Sequence, residues 1–147
     1  MKKILTTAAI IAGLYLNPIQ AQDICKVNSD SLVKQDSILV DEIKKSTNED
    51  KIYKNVDKII AEHQSNINCY LTKSLETGQT HGKFSYLFFA STYYKLFAKP
   101  SMDKIVDILE SKKSGKIYEV KYILLRYDDM FRSSDIAIEE YLKLDIK

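Results

Sequence analysis

The chain contains two histidines, His63 and His81, the side chains best suited to proton transfer or metal binding near neutral pH. His63 lies between Ile59 and Ile67 on a predicted apolar helix face, where a histidine is more often a hydrogen-bonded core residue than a base. His81 stands beside Gly82 in a polar segment that we expect to be a loop, and it could contact a partner. Because neither histidine has a second ligand at metal-binding spacing, we expect no metal site and no cofactor.

Nucleophilic and acidic groups give no stronger signal for catalysis. Residues 22–147 contain no Gly-x-Ser-x-Gly elbow, no Cys-x-x-Cys pair and no glycine-rich phosphate loop. Asp128 and Asp129 are adjacent acids, but neighbouring residues of a helix point about 100° apart, so we expect solvated side chains rather than a shared site. We therefore expect a protein that is not an enzyme.

The first 21 residues have the features of a secretory signal peptide. A basic start at 1–3 is followed by an apolar run over 4–16, which Asn17 and Pro18 end, and Ala21 offers a small residue for cleavage. The run is too short to cross a membrane comfortably, and no later stretch is long and apolar enough. We expect cleavage after Ala21, a mature chain of 22–147 in the bacterial periplasm, and no membrane anchor.

Two cysteines follow the predicted cleavage point, and an even number in an exported protein favours one disulfide. Cys69 falls on the polar side of its predicted helix, which is unusual for a cysteine that serves only as a small core residue. We therefore expect Cys25 to bond Cys69 and to hold an N-terminal arm at 22–28 across the outer face of that helix. The alternative is a pair of unpaired thiols.

Composition predicts an all-α protein and argues against nucleic acid as a partner. Residues 22–147 carry 20 basic and 20 acidic side chains, so no general cationic surface is available to bind phosphates. Three glycines and one proline in this range are too few for the many turns of a β protein. The length fits one domain.

Apolar residues repeat at helical spacing in five to six segments, which predicts a compact single-domain helical bundle. The segments cover 29–46, 49 to just before Gly78, 83–99, 101–110 and 117–131, with a short last helix from Ser134. We expect Lys99 and Pro100 to end the third helix, and Ser134 and Asp135 to begin the last. Since the third segment is apolar on nearly every side, we expect the other helices to wall it in.

Several short motifs resemble those of the type VI secretion amidase immunity protein family. They are Cys69-Tyr70-Leu71, Thr92-Tyr93-Tyr94, Pro100, Ile105-Val106-Asp107, Glu119-Val120-Lys121, Asp129-Met130-Phe131 and Ser133. Members of this family are small, exported, all-helical proteins that bind and block a peptidoglycan-cleaving amidase injected by a rival cell. The resemblance implies that the partner is a cognate amidase effector and that a loop of this chain occludes the amidase active site. On this hypothesis the partner-binding residues are Glu110, Lys112, Lys113 and Lys116.

Other interpretations stay open. The lysines of the 110–116 loop can be those of a solvated turn. A helical adaptor or chaperone would use the aromatic segment 83–99 as an exposed groove, whereas an enzyme would assemble a site from His63, His81 and distant acids. A homodimer is also compatible with the sequence. Tyrosine is enriched at interfaces, but these tyrosines are more often expected to close the core: Tyr93, Tyr94, Tyr118, Tyr122 and Tyr127.

Overall fold

A computed structural model describes residue 25 and residues 27–145. Within these residues the chain is helical and has no strand, which confirms the predicted all-α class. The elements are α1 (Ser29–Lys45), α2 (Glu49–Glu76), α3 (Thr80–Tyr93), a π-helical segment (Tyr94–Ala98), α4 (Lys99–Ser111) and α5 (Ile117–Asp145). The predicted signal peptide, its cleavage after Ala21, and residues 22–24 and 26 of the predicted arm lie outside the described residues.

Asparagine side chains start the first two helices. Asn28 precedes α1 and accepts a hydrogen bond from the backbone N–H of Ser31 at 3.1 Å. Asn48 precedes α2 and accepts one from the backbone N–H of Lys51 at the same distance. Each asparagine oxygen satisfies a backbone donor that has no partner inside its helix.

The predicted number of separate helices, five to six, is wrong. The described residues form four, because α3, the π-helical segment and α4 are parts of one continuous helix. One predicted break lies at Lys99 and Pro100, where the structure instead runs through from α3 to α4. The intervening π-helical segment is wider than an α-helix, and the backbone N–H of Lys99 bonds the carbonyl of Tyr94, five residues back. Pro100 follows directly, and because it has no N–H it cannot bond a carbonyl of the preceding turn, so the regular helical bonding changes at this point.

The second wrongly predicted break is at Ser134, which the structure places inside the continuous helix α5. Instead of capping a new helix, the Ser134 hydroxyl donates to the carbonyl of Met130, four residues back, at 3.0 Å. Asp135 is likewise not part of a helix start. It accepts a hydrogen bond from Ser91 of α3 at 2.8 Å and pairs with Lys95, so it joins two helices.

The continuous helix 80–111 contacts all three other helices of the described chain, as its apolar sequence predicted. It is not walled in, however. Its buried positions hold small residues such as Ala90 and Ala98 and large ones such as Tyr93 and Tyr94, whereas Phe84 is only half-buried. Some of its aromatic residues are therefore in the core, and others lie at the edges of the contacts.

Cys25 and Cys69 are joined, with their sulfur atoms 2.12 Å apart and their Cα atoms 5.8 Å apart. The pairing predicted from the cysteine count is therefore confirmed at the level of this distance. Cys25 and Val27 pack against the main hydrophobic core, so the described part of the arm lies on the body of the bundle. None of the helices in residues 27–145 combines the length and apolar character needed to cross a membrane.

Candidate functional site

The loop between α4 and α5, which holds three of the four predicted partner-binding residues, has a defined backbone. At the end of α4 the N–H of Ser114 bonds the carbonyl of Leu109 at 3.0 Å, and the N–H of Lys113 bonds the carbonyl of Glu110 at 3.1 Å. This pair of bonds is a Schellman motif, which places the residue after the cap in the left-handed conformation. That residue is Lys113, with φ of 53°.

Lys112 ties the loop to α1. Its ammonium group donates to the backbone carbonyl of Ser46 at 2.8 Å. Ser46 is the residue that follows α1, so the bond satisfies a carbonyl at a helix end where no N–H of the helix is available. The sequence places Lys112 in the predicted loop, but the structure uses its charged group inside the molecule.

Lys116 ties the other end of the loop to α2. Its ammonium group lies 2.7 Å from a carboxylate oxygen of Asp57, bonds Glu119 as well, and stands 5.4 Å from the ring centre of Tyr53. Only 11% of its side chain is exposed. Burial alone lowers the pKa of Lys116, but the hydrogen bonds that it donates to Asp57 and Glu119 outweigh this effect and leave the pKa raised. Lys116 therefore stays charged and holds the loop against the bundle.

The two other predicted residues point outward. Lys113 is exposed, and 68% of the Glu110 side chain is exposed beside Lys121, whose ammonium group is 3.9 Å away. An exposed pair at this distance is weak, so either side chain can exchange its partner. Three of the four predicted residues thus lie in the loop, whereas Glu110 lies in the last turn of α4 and not in the loop as predicted. Lys112 and Lys116 order the loop, and Glu110 and Lys113 face solvent. Their contact with an amidase stays a prediction.

His63 lies in a buried polar network rather than in an open site. It is 0% exposed, and its ring nitrogens are 2.7 Å from the Tyr93 hydroxyl and 2.7 Å from a carboxylate oxygen of Asp36. Ser101 donates to the same Asp36 oxygen at 2.7 Å, and Asn66 donates to the Tyr93 oxygen at 2.9 Å. The network joins α1, α2, α3 and α4, and confirms that His63 is a hydrogen-bonded core residue.

Partner chemistry assigns the direction of these hydrogen bonds. Burial raises the pKa of Tyr93 far above its usual range, so the hydroxyl keeps its proton and can donate it to His63. The other ring nitrogen of His63 then donates to Asp36, which can only accept when ionised. The hydrogen bonds therefore run in one direction, from Tyr93 to His63 and from His63 to Asp36. Because His63 is fully buried, a substrate could reach it only if the bundle opened.

Sequence reasoning missed Asp36, which is 5% exposed and has one carboxylate oxygen without a partner among the described residues. The sequence nevertheless contained a signal that Asp36 is buried. The buried residues of α1 are Leu32, Asp36, Leu39 and Ile43, which follow one another at helical spacing. An acid inside an apolar stripe needs a buried partner, and the second helix offered one in His63.

His81 is in a helix and not in a loop as predicted. It occupies the first turn of α3, where its ring contacts the hydroxyl of Tyr141 and lies 5.4 Å from the Tyr141 ring. The neighbouring Phe84 ring stacks on Tyr141 at 4.4 Å. His81 therefore helps to join the start of α3 to the last turns of α5, and its contact with a partner stays a prediction.

Asp128 is not the solvated acid that the sequence suggested. Tyr94 donates to one of its oxygens at 2.7 Å, and Lys99 lies 2.8 and 2.9 Å from the two oxygens. Burial alone raises the pKa of Asp128, but the hydrogen bonds from Lys99 and Tyr94 outweigh it, so the pKa lies below its usual value. Asp129 points elsewhere and forms an exposed pair with Arg132 at 3.4 Å.

We expect this cluster to stabilise the fold in a pH-dependent way. A carboxylate with a lowered folded pKa contributes its stabilisation fully above the unfolded value of 3.8, and loses it as the pH falls through the folded pKa. Asp128→Asn should therefore lower the melting temperature at about pH 6, and its difference from the unmodified protein should shrink below about pH 4. Thermal unfolding followed by circular dichroism measures this. Asp129→Asn is the matched control, and an equal, pH-dependent effect there would contradict the assignment.

Two wider observations complete the description of the site. Among the described residues, no group of three or more histidine, cysteine, aspartate or glutamate side chains is arranged to hold a metal ion. Comparison of the chain with family models, with curated proteins and with solved structures finds no match.

Proposed function

We propose that the protein is a periplasmic immunity protein that binds a type VI secretion peptidoglycan amidase and occludes its active site. The observation that carries this proposal is the ordered loop between α4 and α5, anchored to α1 through Lys112 and to α2 through Lys116. A loop that fills a cleft binds more tightly when it is ordered in advance, because ordering during binding consumes free energy. Glu110 and Lys113 are left exposed to contact the amidase.

The backbone of Lys113 supports a role for its side chain. In the left-handed region a residue with a Cβ atom is less stable than glycine by about 1–2 kcal/mol. A lysine at this position is therefore unfavourable for the fold alone, and strained residues are concentrated at binding and catalytic sites. We assign Lys113 to the amidase contact on this ground.

The proposed periplasmic location rests on the predicted signal peptide and on the pairing of the two cysteines. A disulfide persists in an oxidising compartment such as the periplasm, and Cys25 and Cys69 are at disulfide distance. A peptidoglycan amidase acts in that same compartment, so an inhibitor of such an enzyme has to be exported. The sequence motifs shared with amidase immunity proteins point to the same class of partner.

The alternative of an adaptor or chaperone has weaker support. Such a protein would use the aromatic helix as an open groove, but Phe84, Leu87 and Phe88 pack against Ile138 and Leu142 of α5. A groove there would have to open by displacing the end of α5.

Protection of cells tests the proposal. The full precursor is co-expressed with an exported candidate amidase, lysis is followed by culture density, and complex formation by gel filtration of the purified proteins. We expect protection and a stable complex, both reduced by Lys113→Glu and by Glu110→Lys. Lys34→Glu changes an exposed lysine on α1 and is the matched control. Continued lysis together with no complex would reject the proposal for that effector.

A glycine substitution separates the binding role of Lys113 from its effect on stability. Lys113→Gly should raise the free energy of unfolding by about 0.5–1 kcal/mol because glycine adopts positive φ without a Cβ clash. It should nevertheless reduce protection, since the side chain is gone. Lys113→Ala removes the side chain but keeps the strain, so it should reduce protection without the gain in stability. Urea unfolding and the lysis assay measure the two effects. A destabilised Lys113→Gly variant would contradict the loop geometry.

A further inference from the structure

The outer face of α5 carries a row of eight residues, of which seven are exposed in the described part of the chain and Glu139 is half-buried. Four of its members are large and hydrophobic, and three of these lie near the start of α5: Tyr118 is 78% exposed, and Tyr122 and Leu125 are each 59% exposed. Further along the row, Ile136 is 53% exposed. The row, called the α5 outer stripe below, consists of Tyr118, Tyr122, Leu125, Asp129, Arg132, Ile136, Glu139 and Lys143.

The spacing of the α5 outer stripe is that of a helix-packing seam. Its members follow one another at alternating steps of four and three residues, the repeat that keeps one face of a helix turned towards a neighbouring helix. From 118 to 143 the stripe extends for about 38 Å along the helix axis. The opposite face of α5 carries Val120, Leu124 and Phe131, which are buried in the core. One helix thus presents two packing faces, and within residues 27–145 only one of them has a partner.

The residue types of the stripe are complementary to the same stripe in reverse order. When two copies of α5 are placed antiparallel about a twofold axis between residues 130 and 131, Leu125 meets Ile136 of the second copy. In the same register Asp129 meets Arg132 of the second copy, and the symmetry repeats both contacts. A twofold interface requires this self-complementarity, because each surface has to bind an identical one.

The outer layers of this register are complementary as well. Tyr122 meets Glu139 of the second copy, whose carboxylate can accept the tyrosine hydroxyl, and Tyr118 meets Lys143, whose ammonium group can lie over the ring. Four successive layers on each side of the axis therefore pair apolar with apolar, opposite charges, or a tyrosine with a polar side chain. A shift of the register by one heptad would place Asp129 against Leu125, which leaves a charge facing an apolar residue.

We propose that the α5 outer stripe is the interface of an antiparallel homodimer. A second copy of this chain covers the stripe, whether or not the protein inhibits an amidase. The loop between α4 and α5 precedes the first layer, so the dimer carries one such loop at each end of the seam and leaves both accessible.

A charge exchange tests the register directly. Sedimentation equilibrium of the mature, disulfide-bonded protein should show a dimer at about 100 µM, where a dissociation constant of about 1 µM leaves little monomer. Asp129→Arg and Arg132→Asp each place like charges opposite one another, and each should raise the dissociation constant at least about tenfold. The double variant restores opposite charges and should restore most of the dimer.

Apolar variants provide the matched control. Leu125→Glu lies on the stripe and should give a monomer, whereas Val33→Glu changes a similarly exposed residue of α1 and should leave the dimer intact. Circular dichroism checks that each variant is folded. A monomeric unmodified protein at about 100 µM would overturn the proposal, and so would a dimer that tolerates Leu125→Glu. Loss of amidase binding by the stripe variants without any dimer would overturn it as well, and would assign the stripe to the effector.

Discussion

Replacing His63 by alanine is expected to lower the free energy of unfolding by about 3–5 kcal/mol, because it leaves the buried Asp36 carboxylate without the hydrogen bond from the ring. The histidine is fully buried, so the variant contains a cavity in the core. It also leaves the Asp36 carboxylate, 2.7 Å from the lost ring nitrogen, inside the protein with only Ser101 as a donor. Urea unfolding with the disulfide intact measures the loss.

A double-mutant cycle distinguishes the network from simple loss of volume. Asp36→Ala removes the acid to which His63 donates, so the combined variant Asp36→Ala/His63→Ala should lose less stability than the sum of the losses of the two single variants. His81→Ala is the matched control, because His81 is only partly buried and contacts Tyr141 near the end of the bundle. A loss at His63 no larger than that at His81 would show that the buried network does not hold the helices together.

The position of His63 could be predicted from the sequence, but its partners could not. The repeat of Ile59, His63 and Ile67 places the histidine on the buried face of α2, and this property depends only on helical spacing. The partners Asp36 and Tyr93 belong to other helices. Their contacts depend on how three helices pack, and spacing along one helix carries no information about that.

The two wrongly predicted helix breaks have a similar cause. Pro100 and Ser134 both favour a helix boundary locally, and in each case the surrounding structure continues the helix. At Pro100 the wider π-helical segment accommodates a residue that has no N–H donor, and at Ser134 the hydroxyl bonds the carbonyl of the preceding turn. Local preferences of this kind are worth about 1 kcal/mol for a serine cap, and burying the faces of long helices outweighs them.

The loop residues show which part of a site sequence reasoning can reach. Charge and position predicted a polar loop at 110–116, and the structure has a loop at 112–116, because α4 continues to Ser111. The directions of the side chains could not be predicted, because the partners of Lys112 and Lys116 are Ser46 and Asp57, which are distant in sequence. For the same reason the sequence could not predict that Glu110 and Lys113 face solvent. These two residues are distinguished only when the contacts of Lys112 and Lys116 are known.

The disulfide is expected to have an effect of similar size to that of His63. Cys25 and Cys69 are 44 residues apart, and closing a loop of that length restricts the unfolded chain by about 4 kcal/mol in the chain-entropy model. Cys25→Ser/Cys69→Ser should therefore lose about that amount, which is a large part of the total stability of a small domain. Thermal and urea unfolding measure the loss, and a reductant should lower the stability of the unmodified protein to that of the variant.

The size of this loss decides what the bond does. The loop that it closes contains all of α1 and most of α2, so a restraint on the unfolded chain acts on the whole bundle. If the bond instead only clips the arm, the variant should unfold with nearly unchanged stability, and hydrogen exchange should increase at Val27 and Asn28 alone. A loss below about 1 kcal/mol with such local exchange would contradict the global role. A loss near 4 kcal/mol, with the reductant having no further effect on the variant, would mean that the bundle depends on oxidation after export and that the chain is poorly folded before it reaches that compartment.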